Sequence, residues 1–339
     1  MRVFITGGSG LIGRHLARSL RDSGHDIVIL SRHSDVVRRK PEFREFRVVQ
    51  GDPSVEGRWQ SEVDGCDAVV NLVGHNLFAD RWNAEVKRKI RDSRVYGTEH
   101  VVSAIRQAKD RPGVLVQASA IGIYGAHGDE ELTESSPSGS DFLAVVCREW
   151  EQASDPVAEL GVRRAIVRTG VVLAPGEGAL GVMTPIFKLG PGAPIGSGGK
   201  LGPATGQQWM SWIHIDDIAG IFKLAVENEA ASGPINGTAP NPVRNADFSR
   251  VLSRVLRKPY TPWRFFIPFG PPDALLQLML GEVAGVVAAG QKVLPMRASA
   301  LGYAFKFPDL ADALRDVFTE KPKPTPAPKP VAHAAGSHH

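Results

Sequence analysis

The chain has 339 residues, 42% apolar and 22% charged, ordinary globular values that exclude a wholly disordered or collagen-like polypeptide. Its formal charge is +4, but Lys321, Lys323 and Lys329 lie in the terminal segment, so residues 1–320 carry only +1 and a basic nucleic-acid-binding domain is not indicated. Two cysteines, Cys66 and Cys147, cannot build a disulfide framework and fit a reducing, cytoplasmic compartment; no Cys/His cluster points to a metal, the start MRVFITGGSG lacks the pattern of a secretory signal, and no apolar run reaches the ~18 residues of a membrane span.

Short apolar runs predict strands at 3–6, 27–31, 46–50, 68–72, 114–118 and 164–168, and helical periodicity predicts helices at 11–23, 83–109 and 141–160. This alternation implies an α/β fold, a Rossmann-type doubly wound parallel sheet with helices on both faces. After Gly170 the texture changes. Segment 190–206, with seven glycines and three prolines, reads as a long loop. A strand is expected at 208–213, a helix capped by Asp216 or Asp217 runs to about 229, and 245–257, 272–289 and 309–319 read as further helices. The expected division is a Rossmann domain over 1–170 with its sheet completed by parts of 207–240, a smaller, mostly helical C-terminal lobe over 171–320, and an extended Pro/Lys tail over 321–339. The final GSHH of that tail reads as a tag remnant.

The strongest local signal is RVFITGGSGLIGRHLARSL, in which Gly7, Gly10 and Gly13 form TGxxGxxG and Gly8-Ser9-Gly10 also satisfies GxGxxG. It follows an apolar strand and opens an amphipathic helix, the context that makes such a pattern a dinucleotide fingerprint. The first glycine permits the turn, the middle one lets backbone approach a pyrophosphate, and the third lets helix pack on strand. Free N–H groups at the helix start favour the anion. Thr6, Gly7, Gly8, Ser9, Gly10, Leu11, Ile12 and Gly13 are therefore the first cofactor candidates.

The second strand ends in Ile29-Leu30-Ser31-Arg32, where an NAD site usually carries an acidic residue for the ribose hydroxyls. Arg32 instead offers a fork of donors for a 2′-phosphate and Ser31 adds a hydroxyl, which favours NADP; the competing reading of Arg32 is a solvated loop residue. Arg38, Arg39 and Lys40 could strengthen the positive field. Asp52 stands where a carboxylate could meet the adenine amino group, or is a turn residue before Pro53. Asn71-Leu72-Val73-Gly74 should pass beside the cofactor ribose, with His75 and Arg81 in the following loop within reach of a phosphate or ribose.

Over nearly all of residues 1–320 the segments NLVGHN, RKIRDSRVYGTEHVV, ASAIGIYG, SDFLAVVCREWE, VRTGVVLAPGEGAL, QWMSWIHIDDIAGI, GTAPNPVRNADF and GQKVLPMRASALGYAFKFPDLADAL resemble the atypical, epimerase-like branch of the short-chain dehydrogenase/reductase superfamily, known as epimerase family proteins. Members are also described as nucleoside-diphosphate-sugar epimerases, with a small C-terminal domain of unassigned function that corresponds here to about 270–318. The resemblance implies an NADP-binding Rossmann fold. It also implies a Tyr-x-x-x-Lys pair and a Ser or Thr, in which the lysine lowers the tyrosine pKa and the tyrosine moves a proton.

That relay is missing. Tyr96, Tyr124, Tyr260 and Tyr303 are followed four residues on by His100, Gly128, Arg264 and Phe307. In the helix where the pair belongs, Leu143 and Cys147 stand instead, and the Ser/Thr position falls on Ala120 or its neighbour Ser119. Ser119, also a cofactor candidate, and Tyr124 are the substitutes at the sheet edge where ligands bind. Tyr124 also reads as packing, Cys147 as a buried inert thiol, Glu149 and Glu151 as solvated or ion-paired, and the cluster of His214 with Asp216 and Asp217 as capping by the aspartates, against catalysis or metal binding. Met183, Phe187 and Trp209 could line a pocket or a core. Arg244 and Lys292 could meet an anionic substrate or form structural ion pairs. Two functions follow: an NADP-dependent oxidoreductase or epimerase-like enzyme acting on a small molecule, possible sugar nucleotides included, or a non-catalytic NADP-binding redox sensor. The expected assembly is a monomer or homodimer, with neither nucleic acid nor membrane as partner.

Overall fold

In the computed structural model, which describes residues 1–77, 80–189, 192–194, 205–260 and 290–319, strand and helix alternate from the start. β1 (Arg2–Thr6), α1 (Leu11–Asp22), β2 (Asp26–Ser31), α2 (Ser34–Arg39), β3 (Arg47–Gln50), β4 (Ala68–Asn71), α3 (Ala84–Gln107), β5 (Val114–Ala120), β6 (Glu131–Leu132), α4 (Phe142–Gln152) and β7 (Arg163–Thr169) follow in order. β8 (Val171–Ala174), α5 (Gly178–Leu189), β9 (Trp209–Met210), β10 (Trp212–His214), α6 (Ile215–Glu227), β11 (Gly233–Gly237), β12 (Val243–Arg244), α7 (Asn245–Val255), β13 (Lys292–Val293), α8 (Met296–Ala300) and α9 (Leu310–Phe318) complete the described elements.

The central sheet has seven strands in the order β3-β2-β1-β4-β5-β7-β11, and every neighbouring pair is parallel. A parallel sheet buried on both faces explains the near-continuous apolar strands. Along β1, Val3 and Ile5 enter the core shared with Leu16 and Leu20 of α1 and Phe222 of α6. Phe4 points the other way, to Trp59, Val101 and Ile105 of the α3 side. Asn83 starts α3 by accepting from Val86 N at 2.8 Å, and Asp141 starts α4 by accepting from Ala144 N at 2.9 Å. A third cluster joins β8, α5, α7 and α9 through Leu173, Phe187, Phe248, Leu252 and Leu314. Phe187 therefore belongs to a core, with Met183 packed against it.

Several expectations are corrected. The helix expected over 141–160 ends at Gln152 and a short 3₁₀ turn, Asp155–Leu160, follows, because Pro156 has no N–H to continue the α-helical ladder. The strand expected at 208–213 is two strands, β9 pairing with β12 and β10 with β8, separated at Ser211. Neither Asp216 nor Asp217 caps α6: His214 does, its Nδ1 accepting from Asp216 N at 3.1 Å. Asp217 instead accepts from Lys306 N, Phe307 N and the Tyr303 hydroxyl at 2.8–3.1 Å, tying the C-terminal segment to the start of α6. The helix expected at 272–289, the tail at 321–339 and most of the loop at 190–206 lie outside the described residues. Among the described residues no helix is long and apolar enough to cross a membrane.

Candidate functional site

The glycine turn sits at the end of the central strand β1. Gly7 has φ 68°, a conformation that a side chain strains, and a Cβ there would come 2.9 Å from the Leu72 carbonyl oxygen after β4. Gly10 donates to the Gly7 carbonyl at 3.0 Å and forms the N-cap of α1 without any side chain capping it. The first amides of α1 thus have no competing side-chain acceptor at the cap, and a Cβ on Gly10 would crowd the Gly7 oxygen at 3.2 Å. Gly13 is tighter still: its Cβ would lie 2.6 Å from Gly8 Cα. A bare turn closed by small residues with free helix amides fits a diphosphate. Leu11 and Ile12 pack against the core, and Thr6 is fully buried, donating to Asn71 Oδ1 at 2.5 Å.

At the end of β2, Arg32 is exposed and its guanidinium has no partner among the described residues. Its carbonyl is held by Gln50 Nε2 at 2.7 Å, so the backbone is fixed while the side chain remains available. Ser31 is nearly buried and accepts from His33 N at 3.2 Å. Arg38 is already engaged, donating to the Val48 carbonyl and Asp35, so it contributes less to any positive field than Arg32. Asp52 forms a turn: its Oδ1 accepts from Ser54 N and Oγ at 2.9 and 2.7 Å. That is the ordinary turn role, and it consumes one carboxylate oxygen.

After β4, Asn71 is wholly buried; it donates to Thr98 and Gln117 at 2.9 Å, which leaves only the backbone at 72–74 for a ligand. His75 donates its N–H to Ser93 Oγ, and its Nε2 lies 3.4 Å from Asp80. Arg81 is exposed.

The catalytic candidates are tied into a closed network. Ser119 donates to Glu151 Oε1 at 2.6 Å. Arg168 grips both Glu151 oxygens at 2.9 Å and donates to the Tyr124 hydroxyl at 3.0 Å, while that hydroxyl donates to Asn236 Oδ1 at 2.7 Å. Burial raises the Tyr124 pKa. Burial alone would depress Arg168, but its hydrogen bonds and charge contact with Glu151 raise it instead. Ser119 and Tyr124, 3% and 1% exposed, are thus engaged inside the protein, an arrangement that fits the packing reading of Tyr124 better than that of an available acid. A polar cavity of about 310 Å³ lies beside the network, lined by Ser138, Arg148, Glu151, Arg164 and Arg168 among others.

Cys147 is buried and its thiol is pushed up to about 12 by desolvation, which leaves it uncharged and unreactive. Glu149 pairs with Arg91 at 2.6 Å. His214 lies 3.2 Å from Asp316 and stacks near Phe307, so it joins α6 to α9. Trp209 is flanked by Arg244 and Lys292, 4.1 and 4.9 Å from its ring centre, and these cations pair with Asp129 and Glu131. Two features escape a reading of sequence: the bidentate Glu151–Arg168 pair, and Arg94, a guanidinium inside the stripe Ile90, Arg94, Gly97, Thr98, Val101. A cation at i+4 within a buried helical stripe is the signal that could have found Arg94.

The NAD dependent epimerase/dehydratase family matches residues 3–236, and a domain of unknown function, DUF1731, matches residues 271–317. The chain is 42% identical over 319 residues to the chloroplastic epimerase family protein SDR39U1 homolog of Arabidopsis thaliana, covering 94% of this chain and 86% of that one. It is 35% identical to the epimerase family protein YfhF of Bacillus subtilis, over 95% and 99% of the two chains. Among solved structures it resembles human epimerase family protein SDR39U1 with NADPH, at TM-score 0.78 and 33% identity, covering 94% and 99% of the chains.

Proposed function

Because the chain belongs to the NAD dependent epimerase/dehydratase family, we propose that it binds NADP(H) and acts as an epimerase-like oxidoreductase on a small molecule, with a sugar nucleotide as the first class to try. The observation that carries this reading is the pairing of a glycine-rich turn with Arg32, whose guanidinium has no partner among the described residues, at the end of the neighbouring strand. The turn and the α1 amides would hold the diphosphate, and Arg32, with Ser31 beside it, would hold the 2′-phosphate bidentately. The relative whose crystal structure contains NADPH supports the same cofactor. When bound, the nicotinamide supplies or takes a hydride. The protein's own part is to orient the cofactor over the sheet edge and to bring a substrate to it.

The usual proton relay of a tyrosine and a lysine has no counterpart in this sequence. Cys147 stands in place of the relay lysine, and Ser119 and Tyr124 are both engaged inside the protein. This observation favours a second reading, a cofactor-binding redox sensor without turnover. A fluorescence titration with NADPH and NADH, repeated with Arg32→Ala, tests the cofactor assignment. Selective loss of NADPH affinity in the variant, about 10-fold or more, is expected. Failure of both nucleotides to bind the native protein refutes it. A carbonyl and sugar-nucleotide screen with bound NADPH then separates enzyme from sensor.

A further inference from the structure

The cavity of about 310 Å³ beside the Glu151–Arg168 pair has no part in the cofactor reading. Two elements build its walls. Arg164, Ile166 and Arg168 alternate along β7 onto one face of the sheet. Arg148, Glu151 and Gln152 recur on one side of α4, and Asp155 follows in the 3₁₀ turn. Ser138 stands at the cavity in the segment that leads into α4. That segment is pinned: Gly139 N donates to the Ile123 carbonyl at 2.8 Å, and a Cβ on Gly139 would come 2.7 Å from the Tyr124 carbonyl oxygen. Three guanidiniums thus line the cavity against two carboxylates, an excess of positive charge.

The carboxylates are already engaged. Glu151 accepts from Arg168 through both oxygens and from Ser119, and Asp155 accepts from Arg164 Nη1. Two of the guanidiniums keep donors to spare. Arg164 works through Nη1 alone, which also donates to the Glu151 carbonyl at 3.0 Å and Ser154 Oγ at 3.1 Å. Arg148 likewise uses only Nη1, toward Ser138 Oγ and the Gly139 carbonyl at 3.2 and 3.3 Å. Arg148 has no carboxylate partner among the described residues, and the Nε and Nη2 groups of both arginines have no hydrogen-bond partner among them. An Nε–Nη2 pair is the planar fork that takes two oxygens of one oxyanion. The volume lies at the small end of ligand sites, enough for a phosphate ion with a short attached group and too little for a dinucleotide. Arg164 is the second residue of β7, at the opposite end of the strand from Thr169 and the sheet edge that faces a dinucleotide.

We propose that this cavity is a second anion site, which binds a phosphate group, free or carried by a small metabolite, between the forks of Arg148 and Arg164 with the Ser138 hydroxyl as a further donor. The site stands apart from the NADP(H) reading and does not depend on it. The test titrates the full-length protein with inorganic phosphate and with glycerol 3-phosphate at constant ionic strength, followed by phosphorus NMR, for wild type, Arg148→Gln, Arg164→Gln and Arg250→Gln. Saturable binding with Kd on the order of 0.1–1 mM is expected. Arg148→Gln and Arg164→Gln should each weaken it roughly 10-fold or more, and Arg250→Gln, a surface arginine of α7 paired with Asp247, should leave it within about twofold. Should Arg164→Gln fail to fold for want of its ties to Asp155 and Ser154, Arg148→Gln, which breaks no ion pair among the described residues, decides alone. Tighter binding of the ester assigns the metabolite and tighter binding of phosphate assigns the free ion; either supports the site. Each titration is repeated with saturating NADPH. Binding that NADPH abolishes and Arg148→Gln leaves intact places the anion at the glycine turn and overturns the proposal, as does equal weakening in all three variants or no saturable binding up to about 20 mM.

Discussion

Replacing Gly13 with alanine tests whether the glycine turn is held by contact between α1 and the turn itself. The added Cβ would lie 2.6 and 2.8 Å from Gly8 Cα and C and closer still to the Gly7 oxygen, where ordinary contact needs 3.4 Å or more. All three neighbours are backbone, so no side chain can swing away. The turn must retreat by about 0.6–1.0 Å or α1 must lift. Overpacking of this kind costs ~1–3 kcal/mol, and with no flexible neighbour the upper end applies. Alanine recovers ~1 kcal/mol of helix propensity, leaving a net loss of about 2 kcal/mol. Urea unfolding of Gly13→Ala against wild type measures this, with Gly128→Ala, where nothing lies within 4 Å, as the neutral control within ~0.5 kcal/mol. NADPH affinity should fall about 10-fold or more as the amides leave their positions. A Gly13→Ala protein as stable as wild type, with unchanged NADPH affinity, would refute the argument from close approach.

Arg168→Met should destabilise the protein by ~3–5 kcal/mol in the same assay, because it strands the Glu151 carboxylate with Ser119 as its remaining donor and frees the Tyr124 hydroxyl. A loss below 1 kcal/mol would mean that the network is solvated. Cys147 and Cys66, raised to about 12 and about 11, should resist a chromogenic disulfide reagent near pH 8 until the protein unfolds; rapid native-state labelling would contradict their burial. Both folded pKa values lie above the ordinary 9.0, so the stability that the neutral thiols contribute is complete below pH 9 and drains away as pH climbs toward 11–12. Cys147→Ala should flatten that alkaline loss, as read from urea midpoints on either side of pH 9.

Local chemistry was readable where one residue determines its own neighbourhood. The glycine turn, the helix starts near Asn83 and Asp141 and the six strands of the first half depend on short-range spacing, and they appear where the periodicity puts them. The His214 cap was hidden because imidazole is not among the common cap acceptors, while two aspartates stood beside it. The Glu151–Arg168 pair joins residues from α4 and β7, and no local pattern distinguishes it from a solvated charge. Arg94 was concealed by its context: a helix rich in surface charge makes one inward guanidinium look like the rest. The engagement of Ser119 by Glu151, and of Tyr124 by Asn236 and Arg168, could only emerge with α4, β11 and β7 in place.

The seventh strand of the sheet also bears on how the chain is made. β11 is contributed by Gly233–Gly237, yet it closes the edge of β7, which ends at Thr169. At a synthesis rate of ~5–20 residues per second, β7 leaves the ribosome roughly 3–14 s before its last neighbour exists. During that interval its outer N–H and C=O groups form an open edge, the kind of template on which nascent chains pair with one another. A fragment stopped at Ala174 would keep that edge permanently, so the nucleotide-binding half is expected to aggregate when expressed alone and to need the remainder of the chain as its cover.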